Sequence, residues 1–304
     1  QSPLRDIAAL VALAAESEMP DRVAEAQAKF ATSLKDPDRL STQEKARTIM
    51  AMRAIKIGSA QLEVTASGSG ADVTVSGHKS MVVLADSADK ILVSARSGKS
   101  GDENAVGLFL VDAKASGLVR QTMRTIDNHR TADVSFDNCP AQQVGKPGEA
   151  FAALDEALDF GTVLVCAEAV GAMAYANEAT LEYLKTRQQF GTPIGAFQAL
   201  QHRMVDMTIS CEQSRSITYL ASDALDRADS SAQGVRERRR LVSAAKIKVS
   251  DAAKHIGEES IQLHGGMGMT NEMKVSHTFK RLTMIAVGFG DVDYHLDRFA
   301  AATR

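Results

Sequence analysis

The sequence predicts an α+β protein in three parts: N-terminal helices, a small antiparallel β-barrel or sandwich, and a C-terminal four-helix bundle. Three observations predict it. Residues 1–60 carry helix-start signals and are rich in Ala and Met. Around Gly58 the pattern changes to short segments rich in Val, Ile and Phe. From Gly148 the helical period returns and persists. The expected domains are 1–60, a shortened helical part; 61–149, a middle β-domain; and 150–304, the bundle.

In the first part, Pro20 suits a first helical turn. Ser41 with Glu44 three residues on forms a capping box ahead of KARTIMAMRAI. In the second part, ADVTVSG (71–77), DKILVSAR (89–96), AVGLFLVD (105–112) and ADVSFDN (132–138) read as strands. Val73/Val75 and Val134/Phe136 alternate with polar neighbours, as half-buried strands require. SGSG, SGKSGDEN and KASG between them supply turn chemistry.

In the third part, Phe151 to Thr186 reads as one long helix of about 50 Å at 1.5 Å per residue. Phe197, Leu200, Met204, Met207 and Cys211 follow a helical core spacing. The polar break ADSSAQG (228–234) separates this helix from the next, and segments of this length with short connections imply a bundle.

Bulk chemistry narrows the function. A 304-residue chain that is 44% hydrophobic can bury a substantial core. A net charge of −3, no Trp and 5% aromatics argue against nucleic acid and anionic membrane surfaces as partners. Cys139, Cys166 and Cys211 lack any metal or redox spacing and read as buried small hydrophobes. No metal site is expected. No run of 18 consecutive apolar residues stands out, so the chain is expected to be soluble and cytoplasmic.

Two motifs carry the chemistry. TRQQFGTPIGAFQ (186–198) places Arg187 at a helix end, where its planar fork of donors suits a pyrophosphate. Gly191 and Pro193 force a turn, and Gln198 opens the next helix. IQLHGGMGMT (261–270) offers Gln262, Leu263, His264, Gly265 and Gly266, the paired glycines allowing backbone N–H groups close to a phosphate. Taken singly, each has a plainer reading: a helix-end Arg complementing the dipole, and a glycine C-cap.

Together with LEYLKTRQQFG, FQALQHR, VSAAK, FKRLTMI and FGD, these motifs resemble the acyl-CoA dehydrogenases, strongly from residue 165 onward. The resemblance implies FAD. It assigns Arg187, Phe190, Gln198, Gln262, Leu263, His264, Gly265 and Gly266 to the ADP half of a flavin shared across a subunit interface.

It also exposes departures. Many members place a catalytic Glu where this chain has Phe289, within Gly288-Phe289-Gly290-Asp291. Others carry the base on the first long helix, where this chain has Gly161. Neither residue can take a proton, so no catalytic base is assigned; a slip in register would make Asp291 the base. Glu168 reads as structural. In the β-domain, the Trp and Thr that members set around the flavin are replaced by Met81 and Val83.

That asymmetry is similar to the small, non-catalytic subunit of bacterial heteromeric acyl-CoA dehydrogenases. The expectation is a heterotetramer whose homologous partner supplies flavin seat and base. Its substrate would be an acyl-CoA from fatty acid, dicarboxylic or steroid side-chain β-oxidation, with electrons passing to an electron-transfer flavoprotein. The alternatives are a self-sufficient homomeric dehydrogenase using Asp291, or a structural paralogue without turnover.

Overall fold

The computed structural model describes residues 64–68, 72–97, 105–145 and 150–303. The expected N-terminal helical part, with Pro20 and the Ser41/Glu44 box, lies outside the described residues. The chain forms two compact units that divide between Leu158 and Asp159, within the first helix described here.

The β unit contains β1 (Thr65–Ser67), β2 (Thr74–Val83), β3 (Lys90–Arg96), β4 (Val106–Asp112), β5 (Leu118–Arg124), β6 (Arg130–Pro140) and β7 (Gln142–Val144). They form one seven-stranded sheet in the order β5-β6-β2-β1-β3-β4-β7. Its pairings are antiparallel except for a parallel step, Thr65 opposite Arg96, between β1 and β3. Val75, Ile91, Val93, Phe109, Val134 and Phe136 build its core. Inward Val134 and Phe136 flank outward Ser135, so the expected alternation holds.

All four expected strands are present. The first is longer than its pattern because β2 continues to Val83 through irregularities in its pairing with β6. At the second, Met81 takes φ 53°, and its N–H donates to Asp133 Oδ1 at 2.7 Å. The shift turns Met81 outward, 46% exposed, and puts Val82 in the core. β5, LVRQTMR, lacks an apolar period because it is a polar edge strand.

The helical unit begins within α1 (Ala150–Thr186), the long helix expected from residue 151. A two-stranded hairpin follows, β8 (Gln188–Gln189) with β9 (Thr192–Pro193). Then come α2 (Gln198–Arg227), α3 (Ala232–His264), α4 (Lys274–Val287) and the shorter α5 (Val292–Thr303). Helix α3 is central, packed against α2, α4 and α5. Small residues allow this close packing: a Cβ at Gly257 would meet the Phe279 ring at 3.1 Å. The polar break is confirmed, with Ser231 capping α3 by accepting from the Gly234 N–H at 3.0 Å.

Met173, Met207, Cys211, Ile256, Leu263 and Leu282 lie in the bundle core. The expected stripe on α2 holds at Met204, Met207 and Cys211, and Leu200 packs against the core. Phe197 departs from it, being 39% exposed at the helix start and set edge-on to Phe190. By length and composition α1 could cross a membrane, but half of its most apolar stretch is buried within the protein. All three cysteines are free and buried.

Candidate functional site

The two sequence motifs meet at one end of the bundle. Tyr183, in the last turn of α1, stacks on His264, the last residue of α3, with ring centroids 4.5 Å apart. The Arg187 N–H donates to the Tyr183 carbonyl at 2.8 Å, and the Ile194 N–H donates to the Arg187 carbonyl, closing the hairpin. Phe190 sits at the hairpin tip with φ 54° and is 91% exposed. The Arg187 side chain is exposed and makes no ion pair among the described residues.

Gly191 and Gly265 adopt φ 77° and φ 60°, which a side chain would strain. Packing does not explain any of the three glycines here: a Cβ at Gly191, Gly265 or Gly266 would meet nothing within 4 Å. The open space beside bare backbone, at the end of the bundle that also carries the exposed Arg187, suits an extended anion.

The eight expected residues therefore divide. Arg187, Phe190, Gln198, Gln262, Gly265 and Gly266 are exposed at this end. Leu263 and His264 are not: Leu263 joins the core, and His264 is 2% exposed with Nδ1 bonded to the Ser260 carbonyl at 2.8 Å. Their side chains hold the end of α3 in place.

The two expected base positions also meet. The Phe289 ring lies over Gly161, where an added Cβ would come within 2.9 Å of Cζ and closer still to Cε1. Phe289 takes φ 60° and Gly290 φ 98°, so the α4–α5 connection turns the ring inward. Asp291 serves the backbone here, accepting from the Tyr294 N–H at 3.0 Å at the start of α5.

Sequence reasoning missed the polar groups that hold this connection. Lys246 is fully buried and its Nζ donates to Ser250 Oγ and to the carbonyls of Ala286 and Gly290, at 2.9–3.0 Å. Burial lowers its pKa to about 8, against the opposing influence of Cys166 and Asp291. The same burial raises the Cys166 thiol to about 12, partly offset by Lys246. His295 donates from Nε2 to the Phe289 carbonyl at 2.9 Å. Burial lowers its pKa to about 4. Only the signal of a lysine inside an apolar helical stripe, VSAAKIKV, marked Lys246 in the sequence.

Beside it lies a buried ion network. Asp159, 1% exposed, accepts from Arg238 Nε at 2.8 Å and Arg298 Nη1 at 2.6 Å. Glu168 takes a bidentate pair from Arg281, at 2.5 and 2.7 Å, in keeping with its structural reading. Among the described residues no group of His, Cys, Asp and Glu could hold a metal.

A seven-stranded sheet followed in the chain by a helical bundle defines the class as a mixed α+β fold. Residues 148–303 match the acyl-CoA dehydrogenase C-terminal domain, and residues 57–139 match the middle domain. The chain belongs to the acyl-CoA dehydrogenase family. The human mitochondrial short-chain specific acyl-CoA dehydrogenase is 27% identical over 236 residues, 75% of this chain and 56% of the human one. The probable acyl-CoA dehydrogenase YngJ of Bacillus subtilis is 27% identical over 235 residues, 75% of this chain and 60% of that one. A solved variant of the Tcur3481-Tcur3483 steroid ACAD is 29% identical with TM-score 0.71, covering 83% of this chain and 66% of that chain. The chain thus spans little more than half the length of the curated relatives it matches.

Proposed function

We propose that this chain is a cytoplasmic, non-catalytic subunit of an FAD-dependent acyl-CoA dehydrogenase. A homologous partner supplies the flavin seat and the catalytic Glu, within a heterotetramer. The observation that carries the reading is the Phe289 ring packed on Gly161, which puts carbon at both base positions. The α-C–H of a thioester must lose its proton to a positioned carboxylate while FAD accepts the β-hydride. Asp291 is a poor substitute because its carboxylate caps α5.

Residues of this chain fit the ADP half of FAD. Arg187 offers its guanidinium to the pyrophosphate, Gly265 and Gly266 leave room for it, and Gln198 and Gln262 present exposed amides. Phe190 presents an exposed ring for the adenine side. The substrate class is an acyl-CoA of fatty acid, dicarboxylic or steroid side-chain β-oxidation. The steroid class is favoured by the likeness to the steroid ACAD built from two named components. Electrons would leave through an electron-transfer flavoprotein.

The test is the flavin-to-chain ratio of the natively purified assembly, with mass spectrometry of every polypeptide in it. Half a flavin per chain, with a second homologous polypeptide, is the expected result. One flavin per chain in a single-component oligomer overturns the reading and returns Asp291 as the base.

A further inference from the structure

The connection that carries Phe289 is fixed from several sides. Its carbonyl is held by His295, the next carbonyl by Lys246, and the start of α5 by Asp291. Phe289 itself occupies the left-handed region, which a non-glycine residue adopts only when its surroundings hold it there. A loop held in such a conformation aims its side chain by design of its surroundings. Here the aim is the bare backbone of Gly161, with the ring packed against the bundle core and still partly exposed.

The ring and the missing Cβ are complementary. Any side chain at 161 would collide with the ring, and a smaller residue at 289 would leave a recess above α1. We propose that Phe289 is a plug that closes this chain's own acyl pocket, excluding the acyl group of a thioester from the place beside Gly161. This rests on the reading of the chain as a non-catalytic subunit, and it adds the physical reason why no second substrate binds. The rival geometry makes the ring a wall of an open pocket, an aromatic surface against which the acyl chain packs. The two differ in sign: trimming a plug adds binding, whereas trimming a wall removes it.

The experiment is equilibrium dialysis of octanoyl-CoA against the natively purified assembly, kept anaerobic, with wild-type chain and with Phe289→Ala. The expected result is an added octanoyl-CoA site on each copy of this chain in the variant. Unchanged or reduced binding overturns the proposal. Phe289→Leu, which keeps apolar fill, is read by the same rule if Phe289→Ala fails to assemble. Flavin absorbance of the same samples separates the two claims. A changed octanoyl-CoA count with half a flavin per chain concerns the plug alone, whereas one flavin per chain concerns the subunit reading.

Discussion

Phe289 supplies the side chain that Gly161 lacks: its ring occupies the space where a Cβ at 161 would sit. The two residues lie on different elements, and each makes the other permissible. Gly161→Ala is expected to destabilise the protein by about 1–3 kcal/mol through overpacking. In a Phe289→Ala background the same substitution should cost far less, because the ring is gone. Urea titrations of the four proteins in this double-mutant cycle check it. Equal costs in both backgrounds would show that the contact is not responsible.

Asp159 balances two arginines where little water reaches. Asp159→Ala should cost about 3–5 kcal/mol, since it removes the buried carboxylate that two guanidiniums share. The Arg227–Asp223 pair on α2 is the contrast, with side chains 78% and 41% exposed. Asp223→Ala should change stability by no more than about 0.5 kcal/mol. Chemical denaturation at neutral pH distinguishes the two.

His295 sets an acid limit. Its folded pKa of about 4 lies below the ordinary 6.5. Between those values the unfolded chain binds a proton that the folded chain refuses. The stability from keeping His295 neutral is therefore full above pH 6.5 and is lost as pH falls toward 4. The loss is on the order of 3 kcal/mol. Denaturation midpoints measured from pH 7.5 to 4 should fall through this window in the wild type, and fall less in His295→Gln.

Arg187 and Gly265 sit at the same end of the bundle but should fail differently. Arg187→Ala should weaken FAD retention by roughly tenfold or more, the worth of a charged hydrogen bond, with thermal stability unchanged. Gly265→Ala should lower stability by about 1–2 kcal/mol, because φ 60° strains any side chain. Flavin release during gel filtration and a melting curve, run on both variants, separate the outcomes. An Arg187→Ala protein that keeps its flavin would remove this residue from the cofactor contacts.

Much of the architecture was legible because periodicity records burial. The 37-residue helix Ala150–Thr186, the core positions Met204, Met207 and Cys211, and the inward Val134 and Phe136 all follow local patterns. Strand β5 was not legible, since an edge strand facing water needs no alternating apolar residues. Phe197 broke its local pattern for a tertiary reason, its edge-on pairing with Phe190 at the hairpin tip.

By itself the sequence determined the layout of strands then helices, the two motifs at Arg187 and Gly265, and the absence of a proton-accepting side chain at Gly161 and Phe289. Only the tertiary structure decided that those two positions are one place, that His264 serves Tyr183, and that Lys246 and His295 hold the Phe289 connection. Periodicity carries information about each element's own face. Contact between residues distant in the chain depends on how helices cross and where loops turn, and no local pattern encodes that.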